Sequence, residues 1–387
     1  MSLPKSDIDL FSDHTLLNTE AVYRDLRALG PMVHLPKNDL YAVTSFDAVR
    51  NALRADSVLL SGHGVAANDV INGVDGHATI VSDGDVHTRR RAVLMRPLMP
   101  GALKTLRAQI DDTADRLVRE LLARGTFDAV TDFAAHLPLS IVVDLVGLDE
   151  AASRKMLGWA AATFNALGPM NSRTEHALEV ALELVGYVKT LGPDTLKPGS
   201  WAQRPFFEIE TGSLSPPEAA MMVVDYVAPS LDTTILASAH MLWRLAITPG
   251  AFDAMKADQD LIRGIVNESV RLASPIRSFT RYAGAAYETD HGSIPKGKRA
   301  AILYASANWD DGHYAQADQF KTDRNPRDHV GWGHGAHSCA GMHLARMEME
   351  ALARALARHV RELGVGTPVP LMNNLLQGFQ ALPAWLR

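Results

Sequence analysis

Hydrophobic positions return at helical spacing through most of this chain. In "EAVYRDLRALG" (20–30) apolar residues recur every three or four positions and Gly30 closes the run, which predicts an amphipathic helix with a glycine stop. "LYAVTSFDAVRNALRA" (40–55) predicts a short strand, then a helix begun near Ser45. Further helical patterns cover 87–96, 101–124, 133–147, 150–168 and 174–191. The segment 61–80, "SGHGVAANDVINGVDGHATI", has no such period. Structureless stretches that long are uncommon in compact proteins and often form functional lids.

The longest apolar pattern is "SPPEAAMMVVDYVAPSLDTTILASAHMLWRLAITPG" (215–250), opened by a serine cap and two prolines. It predicts a helix crossing the molecule, kinked by Pro229, whose ring lacks the donor N–H and clashes with the preceding turn. A helical pattern in "DLIRGIVNESVRLAS" precedes strand-like segments over 276–306, and residues 364–387 read as short strands and turns. No repeat or linker divides the chain. The expectation is one unit over residues 1–387, mainly α with small β-sheets around a long central helix.

Composition narrows this little. The chain is 47% hydrophobic and 21% charged, with a net charge of −6 that argues against a general nucleic-acid binder. The N-terminus lacks the apolar core of a signal peptide, and no uninterrupted apolar run approaches the roughly 18 residues of a membrane span. A soluble cytoplasmic protein with no membrane or nucleic-acid partner is expected. A single cysteine, Cys339, excludes an intrachain disulfide and fits a reducing compartment.

That cysteine changes the picture. In "HVGWGHGAHSCAGMHLARMEMEALARAL" (329–356) it sits among His334, His337 and His343, between glycines and a long helical pattern. Three readings compete: a zinc ligand, a buried structural thiol and an axial ligand to a larger metal cofactor. The histidines are acceptable zinc ligands, but four ligands within ten residues and no second cluster is not the usual zinc framework. A free cysteine is often just a small core hydrophobe. Against that reading stand the bracketing glycines, which permit sharp turns and close approach. The helix beginning near Ala340 would also aim amides at the sulfur and lower its pKa.

"GWGHGAHSCAG" resembles the haem-binding loop of the cytochrome P450 family, Phe-x-x-Gly-x-x-x-Cys-x-Gly, through Trp332, Gly335, Cys339 and Gly341, with Trp332 in place of the usual phenylalanine. "ESVR" resembles the family's Glu-x-x-Arg and gives Glu268 and Arg271, with Arg324 of "FKTDRNP" where the family completes a structural ion-pair network. "SANWDDGHY" matches the family's Ala-Asn-Arg-Asp except that Trp309 replaces arginine. The resemblance implies haem b held by Cys339, a ligand that pushes electron density to iron and favours O–O cleavage. It implies propionate contacts from His87 and Arg91 ("HTRRR"), Arg281 ("SFTRYAG") and His337. "APSLDTT" resembles the family's acid–alcohol pair and places Asp232 and Thr233 as catalytic proton-delivery residues, with Pro229 and Ser230 replacing the usual Ala-Gly. No Gly-x-Gly-x-x-Gly unit of a nicotinamide or flavin site competes.

The resemblance also implies a substrate pocket lined by the 61–82 loop, the 164–170 helix end, the central helix, the segment after Glu-x-x-Arg and the C-terminal turn. Its candidate residues are Ile80, Phe164, Leu167, Val224, Val227 and Ala228, with Ile276, Arg277, Phe279 and Phe379 further along. Arg277, where the family generally has an apolar residue, is expected to face a substrate anion, a haem propionate or a structural partner. Little sequence follows Cys339. Electrons are therefore expected from a separate ferredoxin or flavodoxin with its NAD(P)H reductase, steered by Arg89, Arg90, Arg96 and Lys104. The implied reaction inserts one oxygen atom from O2 into a small apolar substrate, aromatic or terpenoid, by hydroxylation or oxidative O-demethylation. Two rivals share the cofactor: a peroxide-using peroxygenase and a non-catalytic haem-thiolate sensor or ligand-binding protein.

Overall fold

A computed structural model describes residues 3–74 and 76–387. The helical pattern at 20–30 becomes the helix Thr19–Leu29, ended at Gly30. Arg27, in its last turn, reaches across to the carbonyls of Ser306 and Trp309 at 2.9 Å each. Leu40–Val43 is a strand and Phe46–Arg54 the helix after it, with Ser45 at the cap position. These strands belong to a five-stranded sheet that also takes in Phe279–Ala283 and Arg299–Ile302. The apolar run "AAILYA" is split: the strand ends at Ile302 and a short helix, Tyr304–Asn308, begins two residues later. Two hydrophobic clusters, one among the helices and one under the sheet, share the half-buried Ile276 and Phe279.

Helix packing supplies most of the core. Arg107–Arg124 lies along Met342–His359, the helix that follows the cysteine loop. The central pattern is two helices rather than one kinked helix: Pro216–Val227 and Asp232–Ile247, interrupted at 228–231. Pro229 cannot donate to the ladder, and Leu231, with φ −109° and ψ −69°, is the N-cap from which the second helix restarts. The expected kink is thus a break, and the second helix restarts at Asp232.

Two helical stretches, Ala129–Val146 and Pro216–Ile247, are long and apolar enough to cross a membrane by length and composition. Shares of 56% and 61% of them lie inside the fold, as in the core helices of water-exposed proteins.

The Glu-x-x-Arg helix is Ile262–Ala273. Glu268 and Arg271 have no exposed side-chain surface and join by two hydrogen bonds of 2.8 Å. Arg324 donates to the same carboxylate at 3.0 Å. Arg271 also donates to the carbonyls of Asn308 at 2.6 Å and Ala317 at 2.7 Å. Asn308 in turn accepts from the Val330 amide at 2.8 Å, so the network braces the first turn of the cysteine loop.

Candidate active site

The loop carrying Cys339 is shaped by two glycines. Gly333 and Gly335 hold φ +67° and +72°, left-handed values that strain other residues. A Cβ at Gly335 would also strike the Leu53 carbonyl oxygen. These turns bring the Cys339 amide to the Trp332 carbonyl at 2.7 Å. Cys339 keeps accessible surface although protein surrounds it on every side, so its thiol faces an internal space. Burial pushes the thiol pKa up, against the amides of Gly341 and Met342 and the nearby charges of Arg91 and Arg346. The amides act as the sequence predicts, but desolvation outweighs them.

Arg91 donates to the Ser338 carbonyl at 2.6 Å, next to the cysteine. His87 and His337 pack ring to ring, centroids 4.0 Å apart, and the buried His87 Nε2 has no partner. Burial, then Arg281, His87 and Arg91, push the His337 pKa down to about 3. His87 is likewise lowered, by burial first and Arg91 second. Arg281 is buried, donates to the Thr280 carbonyl at 2.8 Å and also meets the Tyr304 hydroxyl. His87, Arg91, Arg281 and His337 therefore converge with no carboxylate closer than Asp83, 4.0 Å from His337. The two arginines supply positive charge and the two imidazoles neutral ring N–H donors, a set that fits the two carboxylates of haem b.

The zinc arrangement is not assembled. His334 turns outward to accept from Arg54 at 2.9 Å, and no group of three metal-binding side chains occurs among the described residues.

The central helices carry the opposite wall. Between Glu218 and Leu242 every residue is buried except Val224, Asp225, Pro229, Ser230, Asp232 and Thr233. Positions 225, 229, 232 and 233 follow the i, i+4, i+7, i+8 pattern of one helical face. Desolvation raises the Asp232 pKa to about 7, and its Oδ2 is buried without a partner. The two acids on this stripe, Asp225 and Asp232, keep accessible surface and are nonetheless desolvated by the protein around them. Thr233 donates to the Pro229 carbonyl at 3.2 Å, and Ser230 to the Val227 carbonyl at 3.1 Å.

The 61–80 segment covers this region as a lid. Asn68 donates to the carbonyls of Ala166 at 2.8 Å and Gly168 at 2.6 Å, and the Ala67 amide to that of Leu167 at 2.8 Å. Lid and helix end thus meet as expected, with Phe164 buried and Ile80 37% exposed. Val227 and Ala228 are buried beside the half-buried Val224. Two surface clefts, of about 240 and 560 Å3, lie away from Cys339 and Asp232.

Of its three expected roles Arg277 takes the structural one: it is buried and donates to Thr19 Oγ1 at 3.2 Å, the Asn373 carbonyl at 2.6 Å and the Leu16 carbonyl at 3.3 Å. It ties the N-terminal helices to the C-terminal turn. Phe379 packs on Trp243 and His240, ring centroids 5.4 and 6.1 Å away. Phe379 is half-buried there, packed against the main hydrophobic cluster. Arg90 is no surface charge: it is buried, bonded to Glu218 at 2.8 Å and to the carbonyls of Gly76 and Ala78. Arg89 shares Glu218, and Arg96 pairs with Glu208.

Two acids escaped the sequence reading. Asp225 accepts from the Thr79 amide at 2.7 Å. Its spacing of seven from Asp232, which would share one face of the continuous helix the sequence predicts, was the available signal. Glu348, nine residues past Cys339, is buried with both oxygens unpartnered, and desolvation pushes its pKa up to about 8. Folded Glu348 thus keeps its proton from the ordinary carboxylate range up to about pH 8, where unfolded Glu348 has lost it. Stability from this residue is greatest below the ordinary range and declines as pH rises through 8. Glu348→Gln is expected to be near neutral at pH 5 and stabilising by roughly 2–3 kcal/mol at pH 9, less than the full shift because a buried amide is also unsatisfied. Denaturant unfolding of both proteins across this range checks it, and equal slopes with pH refute it.

Known proteins resemble this chain over most of its length. The family model "Cytochrome P450" matches residues 203–363. Cytochrome p450 CYP199A2 of Rhodopseudomonas palustris is 32% identical over 99% of this chain and 95% of its own length. A beta-dihydromenaquinone-9 omega-hydroxylase of Mycobacterium tuberculosis is 27% identical over 94% of this chain and 75% of its own. Among solved structures, Mycobacterium marinum cytochrome P450 CYP268A2, in complex with pseudoionone, superposes with a TM-score of 0.87 at 26% identity, covering 99% of both chains. The chain belongs to the cytochrome P450 family. It is a cytochrome P450 monooxygenase of bacterial type and binds haem b.

Proposed function

We propose that Cys339 would hold the iron of haem b through its sulfur, that His87, Arg91, Arg281 and His337 would receive its propionates near Trp332, and that Asp232 and Thr233 deliver protons in the substrate cavity. The single observation behind this reading is the convergence of those four unmatched basic side chains beside Cys339. When bound, haem b supplies dioxygen activation, strengthened by electron density from the cysteine sulfur.

The remaining tasks belong to the chain. Asp232, with a pKa near 7, holds or releases a proton at neutral pH as a proton-transfer group must. Thr233, one position on and on the same accessible stripe, orients a hydroxyl and its water toward the cavity. Breaking the helix at 228–231 opens room for that water, since the Pro229 carbonyl is left to accept from Thr233. The lid from 61 to 82, the helix end at Phe164 and Leu167, and Val224, Val227, Ala228, Ile276 and Phe279 exclude bulk water around the substrate. The substrate is small and largely apolar, and the reaction hydroxylation or oxidative O-demethylation. Electrons come from a separate ferredoxin or flavodoxin with its NAD(P)H reductase. Of the basic residues near the helix Gly84–Met95, Lys104 forms no ion pair among the described residues and is the best placed to meet an acidic donor.

Thr233→Ala tests the proton assignment. Product per NADH is expected to fall by about tenfold or more, with matching release of hydrogen peroxide. An unchanged yield would take Thr233 out of this role.

A further inference from the structure

Building on that reading of the cavity, we propose that Asp225 selects the substrate: its carboxylate, set in the cavity wall, receives a cationic nitrogen on an otherwise apolar molecule.

Placement comes first. Asp225 keeps accessible surface in a helix whose neighbours Val223 and Tyr226 are buried, and it shares the accessible stripe of Asp232 and Thr233. Protein nonetheless encloses it, and desolvation moves its pKa up to about 6 against the opposing hydrogen bonds from Thr79 and Ile80. Such a group opens onto an internal space rather than bulk water. The Thr79 amide donates to Oδ2 at 2.7 Å and fixes the carboxylate in one orientation. Thr79 itself is held by the lid, so helix and lid together aim the acid.

Charge comes second. Arg90 is the one cation near enough to act on Asp225, and it is already bonded to Glu218 at 2.8 Å. Arg89, the other partner of Glu218, is 40% exposed in its side chain, where water screens it. The basic cluster of His87, Arg91, Arg281 and His337 is the one assigned to the propionates. Asp225 at neutral pH is therefore an enclosed anion held by hydrogen bonds from Thr79 and Ile80, with no ion pair among the described residues. An enclosed anion is costly until a cation reaches it, and a ligand cation gains most where water is absent. The same field repels carboxylates, so fatty acids and aromatic acids are disfavoured.

A matched pair of probes isolates the charge: trimethyl(2-phenylethyl)ammonium and its carbon isostere 3,3-dimethylbutylbenzene. They share size and shape, and a quaternary nitrogen has no lone pair with which to ligate iron. Binding to the haem-loaded protein is measured at pH 8 by calorimetry and by the shift of the Soret band. The ammonium probe is expected to bind at least roughly tenfold more tightly than the isostere, and Asp225→Asn to erase that preference while leaving isostere binding within about twofold. Asn still accepts from the Thr79 amide, which keeps the variant folded; haem content and thermal melting verify this. Should Asn fail to load haem, Asp225→Glu replaces it, and retention of the preference there supports the assignment. Equal binding of the two probes to the parent protein, or a preference that survives in Asp225→Asn, overturns it. Failure of the proposed function looks different: reduced, carbon-monoxide-treated protein would then lack the thiolate-type Soret band before any probe is added.

Discussion

Cys339→Ser is expected to abolish the red-shifted Soret band of the reduced, carbon-monoxide-treated protein and to lower monooxygenase turnover by at least roughly a thousandfold. A serine hydroxyl fits the space of the thiol, accepts the same hydrogen bonds and leaves the Trp332 carbonyl bonded to the amide of residue 339. The loop should keep its shape, because Gly333, Gly335 and the Asn308 side chain set it rather than the sulfur. What changes is the donor atom. Sulfur is soft and polarisable; an alcohol in a desolvated site stays protonated and gives iron little charge. A variant that binds haem yet shows an unshifted band and no coupled NADH consumption meets the expectation. Parent-like spectrum and turnover in Cys339→Ser would remove the sulfur from the site and leave the four basic residues without the group they are proposed to hold.

Some of this was legible along the chain and some was not, for identifiable reasons. Glu268 and Arg271 are three residues apart on one helix, so their pairing follows from periodicity alone. Cys339 was legible because glycines, a helix start and a lone thiol coincide in a few residues. Pro229 announced a disturbance in the central helix, but not that the chain would restart a new helix at Asp232. Long-range partners set what sequence spacing cannot show. The atoms that hold Arg277 come from Thr19, 258 positions away, and Asn373, 96 positions away, so a structural arginine was indistinguishable from one facing a ligand. Asp225 meets Thr79 across 146 positions. The thiol pKa of Cys339 was misjudged in direction for a related reason. Helix amides can be counted from sequence, but the depth of burial that outweighs them depends on the whole fold.

Glu268 supports the second large effect. Arg271→Leu is expected to destabilise the protein by roughly 3–5 kcal/mol, enough to prevent haem-loaded protein from accumulating. Three losses coincide. The Glu268 carboxylate keeps only Arg324, at 3.0 Å, and the Lys321 amide, at 3.3 Å, while having no exposed side-chain surface. The carbonyls of Asn308 and Ala317 lose donors 2.6 and 2.7 Å away. Asn308 is then free to turn from the Val330 amide, which unpins the start of the cysteine loop. Glu268→Gln should also be costly, since its NH2 group meets one of the two Arg271 donors and the buried guanidinium loses its counter-charge. The double variant Glu268→Leu with Arg271→Leu separates charge from architecture. If the cost lies in one abandoned charge, the pair should recover part of the stability lost by Arg271→Leu. If it lies in the freed carbonyls and the loop, the pair should be no better. Unfolding in denaturant, with haem content measured on the same samples, distinguishes these results. A haem-loaded Arg271→Leu as stable as the parent would show that the loop is held without the network.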